Sequence, residues 1–477
     1  MRPVAETQPP TPTGPVSARA GELPTVQLPS LPDVPSQVRL FGSGSFFRLW
    51  LAQVVSSLGD WLGLVAVISI AARVGGSSDA AIGVVMSARI IPGFFLASVG
   101  GVLVDRWDRK RVMVVCDIGR GLVFASLPFI TTVWGLFLVS LLLEILTLMW
   151  SPAKEASVPN LVATEQLTTA NSLSLVAAYG TFPVGSALFA LLAKVAEIAH
   201  RSSFQFLHVG QETLAILFNV ATFFLSALLI SSIRFPRQER EKRGRIDLGR
   251  AFIEIKEGWH LIGTSPVVRA VMVGLATGLM GGGMVVPLGP SFSKQVLHRG
   301  AAGFGLLLTA LGMGVAVGVI GLSAVQKRLP REQIFPLAIL AAGGCMFAAA
   351  CMSSLAPAMA FVAGMGVCAG AGYVVGFTIL QENVEDELRG RIFAALYTLV
   401  RLCLIVALTL APLLSGLLNR LSTRYFDRQI KVGGFSVGLP GGRLTLWLGS
   451  IIIIVAGTLA SRAMRAHLRE RSAPTRS

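Results

Sequence analysis

The chain has 477 residues, of which 53% are hydrophobic and only 14% charged, with a mean hydropathy of +0.69. Soluble domains carry about 25% charged residues, so a soluble globular protein is excluded and a polytopic membrane protein is implied. The 41 Lys and Arg exceed the 25 Asp and Glu by 16, but these cations cluster in short loops, so topology and not nucleic acid accounts for the excess.

Residues 1–45 are rich in Pro, Thr, Ser and Val without periodicity and read as a disordered cytoplasmic tail. Without a basic start and an apolar run, they do not read as a signal peptide. Twelve apolar segments follow, each near the roughly 20 residues that cross about 30 Å of hydrocarbon. They span 46–72, 80–104, 112–131, 133–153, 168–194, 212–233, 266–290, 302–325, 335–354, 356–381, 392–418 and 443–464. The expected fold is an all-α membrane bundle in two pseudo-symmetric halves of six helices, 46–233 and 266–464. A basic cytoplasmic connector, 234–265, joins them, and 465–477 forms a cytoplasmic tail. Two features repeat at nearly one offset: Arg48 and Arg269 stand 269 − 48 = 221 apart, and Val162 and Val384 stand 384 − 162 = 222 apart. Parallel repeats about an axis along the membrane normal produce such a pattern.

Between segments two and three, Gly101-Val-Leu-Val-Asp-Arg-Trp-Asp-Arg-Lys-Arg111 reads as a short charged loop. Its positive excess places it at the cytoplasmic surface. Lys154, Lys327, Arg328, Arg331, Arg389 and Arg391 would share that side. The loop after segment eleven, with Arg420, Arg424, Arg428 and Lys431, is a cation-rich exception on the other side.

No P-loop, G-x-S-x-G or H-E-x-x-H pattern occurs, and no nucleophile, metal set or cofactor site is read. The chain is therefore not expected to be an enzyme and is expected to need no cofactor. The chemistry rests on charges inside the membrane, which are costly there and mark function by default. Asp60, near mid-segment, and Glu144, flanked by apolar residues, are candidates for reversible protonation or substrate contact. A structural acid paired with an Arg from another helix is the alternative for each. Asp117 and Arg120 lie three apart on one face and read as a local ion pair that orients the charged loop. Arg89 reads as a counter-ion for Asp117 or Glu144, or as a contact for an anionic substrate, and Arg401 is the one cation well inside the second half. Phe94, Phe95, Phe124 and Tyr179 are candidate cavity walls.

Four stretches carry a resemblance: Gly101 to Arg111, Arg48 to Asp60, Pro152 to Pro159 running on to Asn171, and Asp386 to Ile392. The first is similar to the loop 2–3 signature of the major facilitator superfamily, with Asp108 where Gly is usual. Together they resemble the macrolide-efflux and enterobactin-exporter branch of drug:proton antiporters. The resemblance implies twelve helices, alternating access and proton-driven export. It also implies a gating role for Gly101, Asp105, Arg106, Asp108, Arg109 and Arg111, with Asp105 meeting the N-terminal end of a helix in the second half. Two departures stand out: Glu144 lies where many relatives carry a segment-four Arg, and the segment-five antiporter pattern is degraded to Phe182-Pro-Val-Gly-Ser-Ala187.

The reading is a monomeric secondary transporter of the cell membrane, both termini cytoplasmic, with protons, membrane lipids and a hydrophobic or amphipathic small molecule as partners. Uptake, lipid translocation and a non-transporting sensor are the alternatives.

Overall fold

The computed structural model describes residues 41–76, 79–201, 212–235, 265–325, 330–384, 386–426, 429–432 and 435–472. Eleven helical spans among them are long and apolar enough to cross a membrane. A further helix of 28 residues, Asp79–Arg106, fills the sequence position of the second segment. The first half consists of α1 (Gly44–Val74), α2 (Asp79–Arg106), α3 (Arg109–Ser126), α4 (Val133–Ser157), α5 (Leu167–Tyr179), α6 (Phe182–Arg201) and α7 (Thr213–Ser231). The second consists of α8 (Pro266–Gly283), α9 (Val285–Gln295), α10 (Gly300–Val325), α11 (Arg331–Cys351), α12 (Leu355–Asn383), α13 (Asp386–Ile405), α14 (Ala411–Phe426) and α15 (Gly441–Ser472). The pair α5/α6 makes one span, as do α8/α9 and α13/α14. The two halves begin 266 − 44 = 222 residues apart, at the same offset as the sequence repeat.

The apolar cores divide along the chain. One cluster, from Val267 to Met464, belongs wholly to the second half. The other two are built mainly from the first half, with Phe304 and Leu308 of α10 reaching across into one of them. Within the second half, α10 and α12 meet backbone to backbone through glycine. A Cβ at Gly314 or Gly318 would stand 2.1 Å from the carbonyl oxygen of Ala363 or Val367. Small residues permit such approach where lipid offers no hydrophobic drive for association.

Several boundaries differ from the sequence expectation. Segment five is broken at Gly180–Thr181, and segment seven is broken near Met284. Segment eleven carries a five-residue π-turn, Val406–Leu410, between α13 and α14. Interruptions of this kind keep their backbone groups satisfied inside a bundle and mark places where helices bend. The cation-rich exception after segment eleven contains a two-stranded antiparallel hairpin, β1 (Gln429–Val432) and β2 (Phe435–Gly438), the one departure from an all-α chain among the described residues.

The charged loop is shorter than its sequence suggests. α2 runs on through Arg106 and α3 starts at Arg109, so only Trp107 and Asp108 lie outside helices. Asp108 caps α3: its carboxylate accepts a hydrogen bond from the Arg111 backbone N–H at 2.8 Å. An N-cap acid satisfies an orphan donor of the first turn, which gives a physical reason for Asp at this position. The neighbouring cations close other helix ends. Arg109 donates to the Ala156 carbonyl at 2.5 Å and Lys110 to the Ile233 carbonyl at 2.7 Å, while Arg48 reaches the Ser232 carbonyl at 3.2 Å. Cations near helix C-termini satisfy unpaired carbonyls and the negative end of the helix dipole.

Candidate functional site

The intramembrane charges of the first half converge between α1, α2, α3, α4 and α7. On α1, Gln53, Ser56 and Asp60 recur at spacings of three and four and so share a face. On α3, Asp117 and Arg120 do the same. Arg120 is 1% exposed and sits at the centre. Its guanidinium donates to Asp117, to Asp60 Oδ2 at 3.2 Å and to Ser56 Oγ at 3.3 Å. Its carbon lies 4.6 Å from the Phe223 ring centroid and 5.2 Å from that of Trp150. Asp117 is fully buried and also accepts from Ser226 Oγ of α7 at 2.7 Å. Arg120 therefore bridges two acids on two helices, and the expected local pair is part of a wider network among the described residues.

Asp60 differs from Asp117 in one respect that matters for chemistry: its side chain is 33% exposed. Unlike Asp117, its carboxylate is not fully enclosed by protein. Glu144 on α4 is partly buried and lies within electrostatic reach of Arg89, Asp60 and Arg120. Arg89 on α2 acts on both Asp60 and Glu144, and its buried Nε has no hydrogen-bond partner. Five charged groups are thus coupled: three acids (Asp60, Asp117, Glu144) and two cations (Arg89, Arg120).

Tryptophan and amide donors fix the helix that presents Asp60. Gln53 Nε2 donates to the Ser174 carbonyl at 3.0 Å, Trp50 Nε1 to Leu173 at 2.9 Å and Trp61 Nε1 to Ala178 at 2.8 Å. All three acceptors lie on α5. On its other side α1 meets α7 through Gly59 and Gly63, where a Cβ would fall 2.3 Å from Asn219 Oδ1 and 2.2 Å from Asn219 Nδ2.

The other predicted residues fall in different places. Phe124 does not line a cavity. It is fully buried, packs on Phe223 at 5.6 Å between ring centroids and sits against Gly63. An aromatic on a membrane helix looks the same in sequence whether it faces the core or a cavity. Tyr179 is exposed, at the end of α5. Arg401 is exposed on α13 and stands outside the five-group network. Phe94 and Phe95 of α2 lie, for their side chains, outside the described residues, as do Gly101, Asp105 and Arg106; the tail 1–40 and most of the connector, 236–264, lie outside them altogether. Sequence reasoning missed Ser226, Trp150 and Phe223 as members of the network. Only Ser56, four residues before Asp60, carried a signal in its spacing.

The described contacts between the halves bring α6 against α10 and α2 against α9, α14 and the π-turn. A Cβ at Gly305 would lie 3.0 Å from the Ser186 carbonyl, and one at Gly83 would lie 3.2 Å from the carbonyls of Leu408 and Thr409. These close approaches sit toward the face opposite Trp107 and Asp108.

Residues 49–408 match the family model described as Major Facilitator Superfamily. The chain is similar to the uncharacterized MFS-type transporter YfiS of Bacillus subtilis (strain 168), at 26% identity over 373 residues, covering 76% of this chain and 84% of the relative. It is similar to the putative bacilysin exporter BacE of Bacillus amyloliquefaciens, at 29% over 335 residues, covering 68% and 77%. The multidrug efflux pump Tap of Mycobacterium bovis (strain BCG / Pasteur 1173P2) is 24% identical over 372 residues, covering 75% and 83%. Among solved structures, a bacterial homolog to the human lysosomal transporter Spinster, inward-facing and unoccupied, superposes with a TM-score of 0.70 at 15% identity. That alignment covers 91% of this chain and 99% of the other, and shows a shared fold.

Proposed function

The chain belongs to the Major Facilitator Superfamily, and from that premise we propose that it exports a hydrophobic or amphipathic small molecule in exchange for protons. The observation that carries the coupling is the charge balance of the buried network. Three acids against two cations leave 3 − 2 = 1 negative charge when every group is ionised. An uncompensated charge inside a membrane is costly, and one bound proton removes it. Asp60 is the acid best placed to exchange that proton, because it alone combines contact with Arg120 and a partly exposed carboxylate. Proton release from Asp60 strengthens its pull on Arg120, and proton uptake loosens it. This gives α1 and α3 two electrostatic states that a transport cycle can use.

Export rather than uptake is favoured by relatives named as an exporter and an efflux pump. On this reading the face bearing Trp107 and Asp108 is cytoplasmic, as are both termini, and the protein works as a monomer in the cell membrane. Substrate would bind between the halves near mid-membrane, where repeat-built transporters place their sites. Tyr179, Phe94 and Phe95 are the proposed walls there. The charged segment with Asp105 and Arg106 would act on the conformational equilibrium and not on substrate.

The test is substrate-linked proton flux in proteoliposomes, wild type beside Asp60→Asn, with lipophilic cations, macrolides and small peptides under an imposed pH gradient. Flux in wild type that Asp60→Asn abolishes is expected. Flux unchanged in Asp60→Asn would remove Asp60 from the coupling path. Substrate efflux indifferent to the pH gradient would sink proton coupling.

A further inference from the structure

A second buried acid lies far from this network, where the halves meet. Asp79 opens α2 on the face opposite the charged segment, and it is 8% exposed. Its carboxylate accepts a hydrogen bond from Ser415 Oγ of α14, itself 2% exposed, across 336 residues of chain. Ser291 of α9 provides the other hydroxyl beside it. Gly442 of α15 leaves room for the group: a Cβ there would sit 3.9 Å from Asp79 Oδ2. One acid of the first half is thus enclosed by three helices of the second.

No cation among the described residues is paired with Asp79. The charged groups on the helices around it are engaged or turned elsewhere. Arg443 of α15 spends its guanidinium on the carbonyls of Gly438 and Met352 and on Ser353 Oγ. Arg73 of α1 pairs with Glu212 at 3.5 Å. Lys294 of α9 and Arg420 of α14 are exposed, and Arg424 lies over the Tyr425 ring. The positive end of α2 offsets only part of the desolvation of an anion placed there. The hydrogen-bond pattern also suits a neutral acid. Ser291 Oγ lies within reach of both the Leu288 carbonyl, at 2.9 Å, and Asp79, and its one proton can serve either; with that proton on Leu288 the hydroxyl can accept one from Asp79. A protonated Asp79 can donate to Ser291 while still accepting from Ser415, and every partner is then satisfied.

One turn further along α2, Gly83 brings that helix onto the carbonyls of the π-turn at Leu408 and Thr409. Asp79 and Gly83 are four apart and share a face, so the same strip of α2 carries the acid and a close backbone approach between the halves. Opening this face would separate both contacts and expose Asp79 to water.

We propose that Asp79 is a proton-binding site that latches the two halves together at this face: a proton taken up from water by the open state is enclosed when the gate closes. Linkage fixes the sign. The closed state holds the proton more tightly than the open one, so falling pH favours closure, by up to tenfold in the closed-to-open ratio per pH unit for one proton. The inference rests on the export reading for its place in a cycle, since it makes proton entry from this side drive the return stroke. The latch itself needs no substrate.

The experiment is a pulsed-EPR distance between spin labels at Thr131→Cys and Ser354→Cys, exposed positions on this face of each half. The five native cysteines are replaced, and the protein is reconstituted in lipid nanodiscs from pH 5 to pH 9 without substrate. In wild type the short-distance population is expected to grow as pH falls, with a one-proton slope. Asp79→Asn, which keeps the acceptor for Ser415 and cannot ionise, should stay closed throughout. Ser291→Ala, which removes the acceptor, should shift the transition to lower pH, and it serves as the readout should Asp79→Asn not fold. A wild type indifferent to pH, or an Asp79→Asn protein that keeps the wild-type response, would overturn the latch. Asp60→Asn should leave the response intact. If it abolishes the response while Asp79→Asn does not, the closing proton sits at Asp60, so the latch is wrong and the export reading stands. Closure that tracks Asp79 in a protein with no proton-linked export would sink the export reading and leave the latch.

Discussion

Replacing Arg120 with Leu tests whether the buried network is held by charge balance. The substitution keeps apolar contact with Phe223 and Trp150, whose rings lie 4.6 and 5.2 Å from the guanidinium carbon. It removes the cation from Asp117, which is fully buried, and from Asp60, which is one-third exposed. Asp60 can turn to water. Asp117 cannot, and Ser226 is its sole remaining described partner. Deleting one partner of a buried ion pair costs about 3–5 kcal/mol, because the other charge is stranded, whereas replacing both by apolar groups is often neutral or stabilising. Arg120→Leu should therefore lose about 3–5 kcal/mol in chemical denaturation followed by tryptophan fluorescence. The double variant Asp117→Leu/Arg120→Leu should return to within about 1 kcal/mol of wild type. A single variant within 1 kcal/mol of wild type, or a double variant no better than the single, would refute the account of Arg120 as the counter-charge of Asp117.

Two further substitutions probe packing. Phe124→Ala empties a site closed by Phe223 and Gly63 and should cost about 3–5 kcal/mol in the same denaturation experiment, with substrate affinity unchanged because the ring does not line a cavity. Gly318→Val places carbon against the Val367 carbonyl, 2.1 Å from where a Cβ would stand, and must push α10 off α12; the fraction of monodisperse protein by size-exclusion chromatography should fall well below wild type, whereas Gly321→Ala, with open space around it, should not change it.

What could be read from sequence and what could not follow from how far each interaction reaches along the chain. Apolar runs and the 222-residue offset locate the spans and the two halves, because hydrocarbon thickness and internal repetition act on contiguous residues. The Asp117–Arg120 pair is legible for the same reason: three residues apart on a helix is a local relation. The Asp60–Arg120 contact joins residues 60 apart on different helices, and nothing in spacing or composition selects it. The charged segment differs in form from what its composition suggests. Its residues look like a loop by composition, yet all but Trp107 and Asp108 are helical, because Asp108 caps α3 and the cations close the ends of α4 and α7. Phe124 shares a face of α3 with Asp117 and Arg120, and spacing alone does not tell whether that face meets a cavity or the packed ring of Phe223. Asp79 stands at the margin of a predicted span, where an acid reads as a solvated helix start, and its partner lies 336 residues later.

On the proposed reading, the two buried acid sites would divide the work of a transport cycle. Asp60 belongs to a network within one half, so a proton bound there would change how α1 grips α3 without itself joining the halves. Asp79 belongs to the contact between halves, so a proton bound there would bias whether one face is shut while making no direct contact with the five-group network. A transporter that exchanges protons for substrate needs both properties, since occupancy must be sensed in one place and must bias the gate in another. On that reading, α2 would be the physical carrier of coupling between the sites. That helix holds Asp79 at its first residue, Gly83 against the π-turn one turn later, and Arg89, which acts on Asp60 and Glu144, six residues beyond Gly83. Ten residues of helix span about 15 Å, so a rigid tilt of α2 that frees Asp79 from Ser415 must also move Arg89 relative to Asp60 and Glu144.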